Sequence, residues 1–385
     1  MADRLSEIKP FRVMEVLKRA AELEAEGHSV VHFEVGEPDF ATAEPIVAAG
    51  IEALQKGHTK YTTATGIPPL KGEIAAFYAR QGVQLDCEQI VVTAGASGGL
   101  TLLAALLLNP DDELLITDPG YPCNEVFVHL CGAKPETMAV SPNHNFQPTV
   151  TDLRDAWGPA TRGTLLASPA NPTGSMLQPE VLAEIVQFVR QQAGFVLLDE
   201  IYQGIRREGG HSTGLSIAED LFVLNSFSKY FGMTGWRLGW VVVPPDYVEP
   251  ITRLCQNLFI CPSTPAQYAA LAGFSPAAIE LHEARVAEFS QRCALLHSGL
   301  SELGFTIPVY PEGAFYLYVD VSHTGMDSAA FCRALLDDFH VAVTPGEDFG
   351  AHQSDRYVRF AFTTSKASIA EGLQRIAQAL MRWGV

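Results

Sequence analysis

The chain has 385 residues, of which 47% are hydrophobic and 18% are charged. This length is enough for two domains of roughly 100 to 200 residues each, and the composition excludes disordered, collagen-like and coiled-coil proteins. Acidic residues outnumber basic residues by 44 to 26, which gives a net charge of −18. Because an acidic surface repels phosphates and anionic lipids, neither nucleic acid nor a membrane is an expected partner.

The sequence predicts neither a membrane helix nor a secretion signal. The longest apolar run, 102–108, is much shorter than the roughly 20 residues that span a bilayer, and the N-terminus lacks the apolar segment of a signal peptide. The seven cysteines are an odd number without a C-x-x-C pair, which favours reduced thiols and gives no metal-binding pattern. We therefore expect a cytoplasmic protein without a metal site.

From the N-terminus, the residue pattern predicts a helix over 11–26 and then a strand over 30–35. Short apolar runs next alternate with longer amphipathic stretches, which is typical of an α/β fold with a mostly parallel central sheet covered by helices. The predicted central strands are 90–93, 113–117, 163–167, 195–198, 221–224 and 238–243, and the helices between them include 44–56, 96–108, 179–191 and 246–257.

The C-terminal part of the chain predicts a smaller α+β unit, with which the first helix and strand are expected to pack. Its predicted elements are helices 277–303, 327–338 and 369–383 and strands 315–319, 341–344 and 357–362. The domain prediction is an N-terminal arm of residues 1–12, a small domain of 13–40 plus 285–385, and a large domain of 41–284.

Residues 91–100, Val-Val-Thr-Ala-Gly-Ala-Ser-Gly-Gly-Leu, predict a strand, a turn of small residues and the start of a helix. The backbone N–H groups at such a helix start can bind phosphate. The spacing is not G-x-G-x-x-G, but Asp118 follows Gly95 at about the distance of the ribose-binding acid in dinucleotide folds. An NAD-dependent oxidoreductase is therefore one interpretation of this segment.

Asp199 directly follows the apolar strand 195–198, at the end where open α/β sheets bind ligands. A carboxylate there can keep the nitrogen of a heterocyclic ring protonated. Tyr202 is close enough in the sequence to reach a neighbouring ring oxygen. The alternatives for Asp199 are a helix N-cap and a metal ligand.

Residues 225–240 contain Ser226, Ser228, Lys229 and Arg237. Hydroxyls and a guanidinium suit a phosphate, while a partly desolvated lysine near a cation can be neutral and nucleophilic. On its own, the segment is equally compatible with a turn that carries a solvated lysine. Together with the two preceding segments it favours a phosphorylated pyridine aldehyde over a dinucleotide, which has no use for a Ser-x-Ser-Lys motif.

Four motifs occur along the chain in a recognisable order. They are Asn171-Pro172-Thr173-Gly174, Asp199-x-x-Tyr202, Ser226-x-Ser228-Lys229 with Gly235-Trp236-Arg237-x-Gly239, and Tyr357-Val358-Arg359. Their order and spacing resemble those of the fold-type I, class I/II pyridoxal-phosphate (PLP) aminotransferases, the aspartate aminotransferase superfamily. The resemblance runs from about residue 30 to the C-terminus, and it implies the PLP-dependent transferase fold with pyridoxal 5′-phosphate as the cofactor.

The resemblance also implies how the cofactor is held. Lys229 would form the Schiff base, Asp199 would pair with the pyridinium nitrogen, and Asn171 and Tyr202 would hydrogen-bond the ring 3-oxygen. Tyr121 would stack on the pyridine ring. The residues expected around the phosphate are Ala96, Ser97, Ser226, Ser228 and Arg237.

For the substrate, the resemblance implies that Arg359 binds the α-carboxylate, that the backbone of Gly36 approaches the same group and that Asn171 helps to hold Arg359. Tyr61 would reach the phosphate of the neighbouring subunit, so a homodimer with shared active sites is expected. The alternatives are a structural salt bridge for Arg359 and an ordinary surface-loop aromatic for Tyr61.

The sequence gives less information about which substrate side chains the site accepts. Some aspartate-specific relatives carry a lysine where this chain has Ser97, which argues against a dedicated aspartate enzyme. Phe11, Phe40 and Phe259 are candidates either for an apolar side-chain pocket or for the core.

The predicted function is a PLP-dependent aminotransferase that moves an amino group between an L-amino acid and a 2-oxo acid by a ping-pong mechanism, with a neutral or broad substrate range. A PLP-dependent β-C–S lyase uses the same set of residues and is the alternative, because a fold does not settle the chemistry. A ligand-sensing regulator on this scaffold would need an additional DNA-binding module.

Overall fold

The computed structural model describes residues 2–209 and 212–385. Over these residues the chain forms twelve α-helices and twelve β-strands, joined by loops and short 3₁₀ turns. The helices are α1 (Arg12–Ala25), α2 (Glu44–Gln55), α3 (Pro68–Ala79), α4 (Gly95–Leu107), α5 (Cys123–Leu130), α6 (Val150–Ala156), α7 (Pro179–Gln191), α8 (Val248–Leu258), α9 (Thr264–Leu271), α10 (Pro276–Glu302), α11 (Ser328–Phe339) and α12 (Lys366–Trp383). The strands are β1 (Val31–His32), β2 (Ile90–Thr93), β3 (Glu113–Asp118), β4 (Lys134–Ala139), β5 (Thr161–Ala167), β6 (Phe195–Asp199), β7 (Phe222–Ser226), β8 (Gly239–Val242), β9 (Tyr316–Asp320), β10 (Val341–Ala342), β11 (Thr344–Pro345) and β12 (Tyr357–Ala361).

Seven strands form one large sheet in the order β2-β8-β7-β6-β5-β3-β4. β8 is antiparallel to both of its neighbours, and the other strand pairs are parallel. β7, an inner strand next to the central β6, is buried along its whole length, as expected for a strand whose two faces are both covered by helices. The predicted α/β fold with a mostly parallel central sheet is confirmed.

The sequence located six of these seven strands to within two residues and missed β4. β4 is an edge strand that pairs with β3 only, and its side chains are mostly exposed apart from Met138. It therefore lacks the apolar run that identified the inner strands.

Two smaller sheets bring the two ends of the chain together. β11, β12 and β9 form an antiparallel sheet, and β1 pairs in parallel with β10. Because α1 packs on β10 and β11, the expectation that the first helix and strand pack with the C-terminal part is confirmed. The division into an arm (1–12), a small domain and a large domain stays a prediction.

β1 is shorter than predicted because the chain leaves it to bond with two different strands. The N–H of Phe33 donates to Ala342 at 2.9 Å, and the C=O of Phe33 accepts from Ala361 at 2.6 Å. Phe33 thereby connects the two small sheets, and the chain continues from it to Gly36.

Two glycines let α4 lie close against the large sheet. A Cβ on Gly99 would be 2.5 Å from Leu224 Cδ1 in β7, and a Cβ on Gly239 would be 3.0 Å from the backbone nitrogen of Ala96. A larger residue at position 239 would press on the backbone at the start of α4, and one at position 99 would have to displace the side chains of Leu224 and Val241. The N-terminus of α4 therefore lies beside the first residue of β8, which pairs with Ser226 at the end of β7.

β5, β6 and β7 are parallel neighbours, so their carboxyl ends lie along one edge of the large sheet. These ends are Ala167, Asp199 and Ser226. Open α/β sheets bind ligands at this edge.

Candidate active site

A cavity of about 240 Å³ opens at the carboxyl edge of the large sheet. It is lined by residues from the ends of β6 and β7, the start of α4, the loop after β3, the start of α1 and the small antiparallel sheet. The predicted site residues in its lining are Gly36, Ala96, Ser97, Tyr121, Asn171, Asp199, Tyr202, Ser226, Ser228, Lys229, Arg237 and Arg359. The fold thus brings residues that are far apart in the sequence into one cavity.

The amine of Lys229, in the loop after β7, faces this cavity. Its Nζ donates a hydrogen bond to the backbone oxygen of Gly36 at 2.7 Å. The pKa of Lys229 is lowered to about 8, chiefly by burial; the carboxylate of Glu37 opposes this shift, and the cations Arg359 and Arg237 add to it. The neutral fraction at a given pH is therefore much larger than for an ordinary lysine, as a nucleophilic amine requires.

Asp199 ends β6 and is 5% exposed. Its Oδ1 accepts a hydrogen bond from the N–H of Ile201 at 3.0 Å. Burial raises the pKa of Asp199 to about 6. A buried carboxylate of this kind is stabilised in its charged form by a cationic partner.

The hydroxyl oxygens of Tyr202 and Tyr316 lie 2.8 Å apart, within hydrogen-bonding distance. Burial raises the pKa of Tyr202 and that of Tyr316. Both side chains are therefore neutral hydroxyls at physiological pH.

The start of α4 and the loop around β7 form one end of the cavity. The first N–H groups of a helix have no partner within the helix, and they carry the positive end of its dipole. The N–H of Ser228 donates to Ser226 Oγ at 3.0 Å, and Arg237 Nη1 donates to the backbone oxygen of Thr234 at 2.9 Å. Since a Cβ on Gly95 would lie 2.7 Å from Arg237 Nη2, the guanidinium lies directly against the helix start.

Arg359, in the middle of β12, lies at the other end of the cavity and is 4% exposed. Its Nη1 donates to Asn171 Oδ1 at 3.0 Å, and its Nη2 donates to the backbone oxygen of Glu34 at 2.6 Å. The rings of Tyr316 and Phe349 flank the guanidinium at 4.5 and 4.8 Å. The predicted contact between Asn171 and Arg359 is therefore present, and the arginine is held in one orientation.

The start of α1 supplies an apolar wall, to which Phe11, Val13 and Leu17 contribute. The ring of Phe11 meets that of Tyr121 edge to face, with centroids 6.5 Å apart. This wall gives the cavity a surface suited to apolar groups.

Asp348 holds the start of α1 from a distant part of the sequence. Its Oδ1 accepts from the N–H of Arg12 at 2.8 Å, and its Oδ2 accepts from the N–H of Val13 at 3.4 Å. Phe11, at the N-cap position, makes no side-chain cap of its own. A carboxylate from the turn after β11 therefore caps the helix that carries the apolar wall.

Three predicted residues lie outside this cavity. Tyr61 is 79% exposed, and Phe259 is 38% exposed. Phe40 packs against Phe289, with ring centroids 5.4 Å apart, so it belongs to the packed interior. Of the three phenylalanine candidates for the side-chain pocket, the cavity includes Phe11.

Sequence reasoning missed Tyr316, Asp348, Val13 and Leu17. Tyr316 lies within an apolar strand and resembles its core neighbours, and Asp348 lies in a polar turn without a motif. The i, i+4 spacing of Val13 and Leu17 on one face of the predicted helix is a usable signal, but it does not show which surface that face covers.

The dinucleotide interpretation depended on Asp118 as a ribose-binding acid. In the structure, Asp118 instead binds backbone N–H groups. Its Oδ2 accepts from the N–H groups of Ala351 and His352 at 2.8 and 3.0 Å. It therefore ties the end of β3 to the loop before β12.

Within residues 2–209 and 212–385, no helix is long and apolar enough to cross a bilayer. The same ranges contain no group of three or more His, Cys, Asp or Glu placed to hold a metal ion. All seven cysteines are free thiols.

The family model for aminotransferase class I and II matches residues 28–376. The chain belongs to this family, which is part of the fold-type I PLP-dependent superfamily. The predicted family, fold and enzyme class are thereby confirmed.

Three relatives illustrate the match. A valine–pyruvate aminotransferase of Mycobacterium tuberculosis is 36% identical over 386 residues, which cover 99% of each chain. An aspartate aminotransferase of Geobacillus stearothermophilus is 33% identical over 390 residues, which cover 98% of each. The structure of Thermus thermophilus aspartate aminotransferase with maleate matches with a TM-score of 0.93 and 31% identity over 99% of each chain. Since these relatives are named as aminotransferases, the lyase alternative is not favoured.

Proposed function

We propose that this aminotransferase uses pyridoxal 5′-phosphate to move an α-amino group between an L-amino acid and a 2-oxo acid in two half-reactions, with a preference for neutral, apolar side chains. The observation that carries the proposal is the arrangement of one cavity. The partly buried amine of Lys229 shares this cavity with the start of α4, where backbone N–H groups suit an anion, and with the buried guanidinium of Arg359.

The residues present fit this cofactor. The start of α4, Ser97, Ser226, Ser228 and Arg237 would hold the phosphate by N–H, hydroxyl and guanidinium donors. Asp199, whose pKa burial raises to about 6, would gain a cationic partner in a protonated ring nitrogen. Tyr202 and Asn171 would contact the ring oxygen, and Tyr121 would stack on the ring. When bound, the cofactor supplies an aldehyde that condenses with amines and a ring that accepts the electrons released at the substrate α-carbon.

Arg359 would bind the substrate α-carboxylate. Among the described residues its Nε has no hydrogen-bond partner although it is buried, and a buried unpaired guanidinium N–H is costly. A carboxylate would satisfy this donor. Because Asn171, Glu34 and two aromatic rings fix the guanidinium, the bound amino acid would be oriented with its α-carbon toward Lys229.

Lys229 would act as the base at the α-carbon. Its lowered pKa keeps a substantial fraction of the amine neutral near pH 8, so Nζ can take the α-proton and deliver it again. The carbonyl oxygen of Gly36 accepts from Nζ at 2.7 Å and would orient the amine. The apolar α1 wall would help to exclude water from this proton transfer.

The preference for apolar side chains follows from the lining. In the described part of the chain, the cations that line the cavity are Lys229, Arg237 and Arg359, and each has a role above. A side-chain carboxylate would instead meet Phe11, Val13 and Leu17, and an unpaired buried charge is strongly disfavoured.

Steady-state kinetics test this proposal. Initial rates with varied donor and oxo acid should give the parallel double-reciprocal lines of a ping-pong mechanism. The kcat/KM for leucine or phenylalanine should exceed that for aspartate by about tenfold or more. Intersecting lines would contradict the two half-reactions, and a clear preference for aspartate would contradict the apolar pocket.

The proposal includes a homodimer with shared active sites. Support comes from exposed apolar residues, since apolar surface of this kind often marks an interface. They are Val47, Ile51 and Leu54 on α2, and Leu258, Phe259 and Ile260 at and just after the end of α8. Tyr61, which is 79% exposed, would then serve the partner's phosphate site. A cytoplasmic location is part of the same proposal and agrees with seven free thiols.

A further inference from the structure

Tyr316 lines the cavity although no motif includes it. It is the first residue of β9 and is 1% exposed. Its hydroxyl lies 2.8 Å from that of Tyr202, and its ring lies 4.5 Å from the guanidinium of Arg359. One side chain therefore contacts both the cofactor side and the substrate side of the site.

The backbone turn at Gly36 is fitted to this hydroxyl. A Cβ on Gly36 would lie 2.5 Å from Tyr316 Oη, so a side chain there would displace the tyrosine. The backbone oxygen of Gly36 accepts the hydrogen bond from Lys229. Glycine at this position keeps Tyr316, Tyr202 and Lys229 in one packed group.

The Tyr202–Tyr316 hydrogen bond can run in either direction. Each tyrosine hydroxyl has one proton to donate and lone pairs to accept, so only one of the two can donate to the other. If Tyr316 donates, the proton of Tyr202 is free for an acceptor in the cavity. A hydroxyl that accepts one hydrogen bond is also a stronger donor in the next one.

We propose that Tyr316 is a positioning residue that donates its hydroxyl proton to Tyr202 and thereby directs the Tyr202 proton to the ring oxygen of the cofactor. This inference rests on the proposed function, because the acceptor belongs to pyridoxal phosphate. A donor at the ring oxygen stabilises its anion, so the bound cofactor becomes harder to protonate.

The test is a pH titration of the visible absorption of the bound cofactor, without substrate, in wild type, Tyr316→Phe, Tyr202→Phe and the double variant. Tyr316→Phe should raise the titration midpoint by roughly 0.3 to 1 pH unit. Tyr202→Phe should raise it further, and the double variant should match Tyr202→Phe, because Tyr316 acts only through Tyr202.

Tyr318→Phe is the matched control. Tyr318 lies two residues along the same strand and is buried, but its ring stacks on Tyr357, 4.8 Å away, outside the cavity. The Tyr318→Phe substitution should leave the midpoint of the pH titration unchanged. Tyr316→Phe keeps the ring beside Arg359, and an unchanged thermal unfolding midpoint would verify the fold.

Two results would overturn the inference while the proposed function stands: a Tyr202→Phe shift without any Tyr316→Phe shift, or shifts that add in the double variant. Failure of the wild-type protein to bind pyridoxal phosphate at all would overturn the proposed function and this inference with it.

Discussion

At the scale of single residues, the reactivity of the site depends on how burial changes the charge of Lys229 and Asp199. The pKa of Lys229 is lowered to about 8, and that of Asp199 is raised to about 6. In both cases burial is the largest cause, because it disfavours the charged form. Burial thus weakens both charges, and a protonated ring nitrogen beside Asp199 would stabilise its carboxylate.

Capture of pyridoxal phosphate by the apoprotein should therefore speed up as pH rises through about 8, since only the neutral amine of Lys229 is a nucleophile. Stopped-flow absorbance measures this rate. Glu37→Gln should move the midpoint to lower pH, because the carboxylate of Glu37 raises the pKa of Lys229. A midpoint near 10.5, the ordinary value for lysine, would contradict this account of the amine.

Lys229→Ala should lower turnover by roughly three orders of magnitude or more, because it removes both the nucleophile and the base. Binding of inorganic phosphate to the apoprotein, measured calorimetrically, should remain close to that of wild type. Arg237→Ala is the contrasting variant and should weaken phosphate binding. Appreciable turnover in Lys229→Ala would contradict the assigned role.

Residues with a motif could be predicted from the sequence, and residues defined only by packing could not. The sequence indicates Lys229, Asp199 and Arg359 as site residues because a charged group at the end of an apolar strand or within it needs a partner to be tolerated. Tyr316 was missed because its strand, Tyr316–Asp320, is apolar enough to be core. Its role depends on Tyr202, a residue that only the fold brings near.

At the scale of secondary-structure elements, the start of α1 connects the apolar wall of the cavity with the small antiparallel sheet. Its first turn provides the apolar wall, and Asp348, from the turn after β11, accepts the N–H groups of Arg12 and Val13. Asp348 is 6% exposed, so its hydrogen bonds are protected from water. The position of the wall therefore depends on a cap that is remote in the sequence.

Asp348→Ala should destabilise the protein by about 1 kcal/mol, the usual cost of a lost N-cap. It should also raise KM for apolar donors several-fold with a smaller effect on kcat, if the wall contacts the substrate side chain as proposed. Chemical denaturation and steady-state kinetics measure the two effects.

The control for this prediction is Glu347→Ala. Glu347 pairs with Arg12 at 3.2 Å, but both side chains are partly exposed, and such ion pairs contribute little. Equal effects of Glu347→Ala and Asp348→Ala would contradict the capping role.

The long apolar and amphipathic elements were predictable, whereas short or polar ones were not. α10 (Pro276–Glu302) was expected over 277–303 because its pattern extends over many turns. β4 was missed because an edge strand carries few buried residues. The strand expected over 341–344 is divided into β10 and β11, which pair with different strands, and pairing partners are a tertiary property.

At the scale of the whole molecule, the proposed dimer would account for an exposed tyrosine and for exposed apolar surface that have no role within a single chain. Tyr61 lies outside the cavity of its own chain and is 79% exposed. Exposed apolar residues on α2 and after α8 provide surface for a partner. Most oligomers of identical chains are symmetric dimers, so each site would receive one Tyr61 from the other subunit.

Mixing two weakened variants tests this arrangement. In a hybrid of Tyr61→Ala and Lys229→Ala subunits, one of the two sites would have both Lys229 and the partner's intact tyrosine. After random subunit exchange, activity should recover to roughly a quarter of the wild-type value, since half of the dimers would be hybrids with one complete site. Activity no greater than the average of the two pure variants would show that Tyr61 does not act across the interface.

The central claim, that this cavity carries out half of a transamination, is tested most directly by absorption spectroscopy. The purified protein loaded with pyridoxal phosphate is mixed with leucine or phenylalanine in the absence of any oxo acid. The account predicts that the absorption band of the aldehyde form is replaced by that of the aminated form, and that one oxo acid is released per site. Persistence of the original band while ammonia accumulates over many turnovers would contradict transamination.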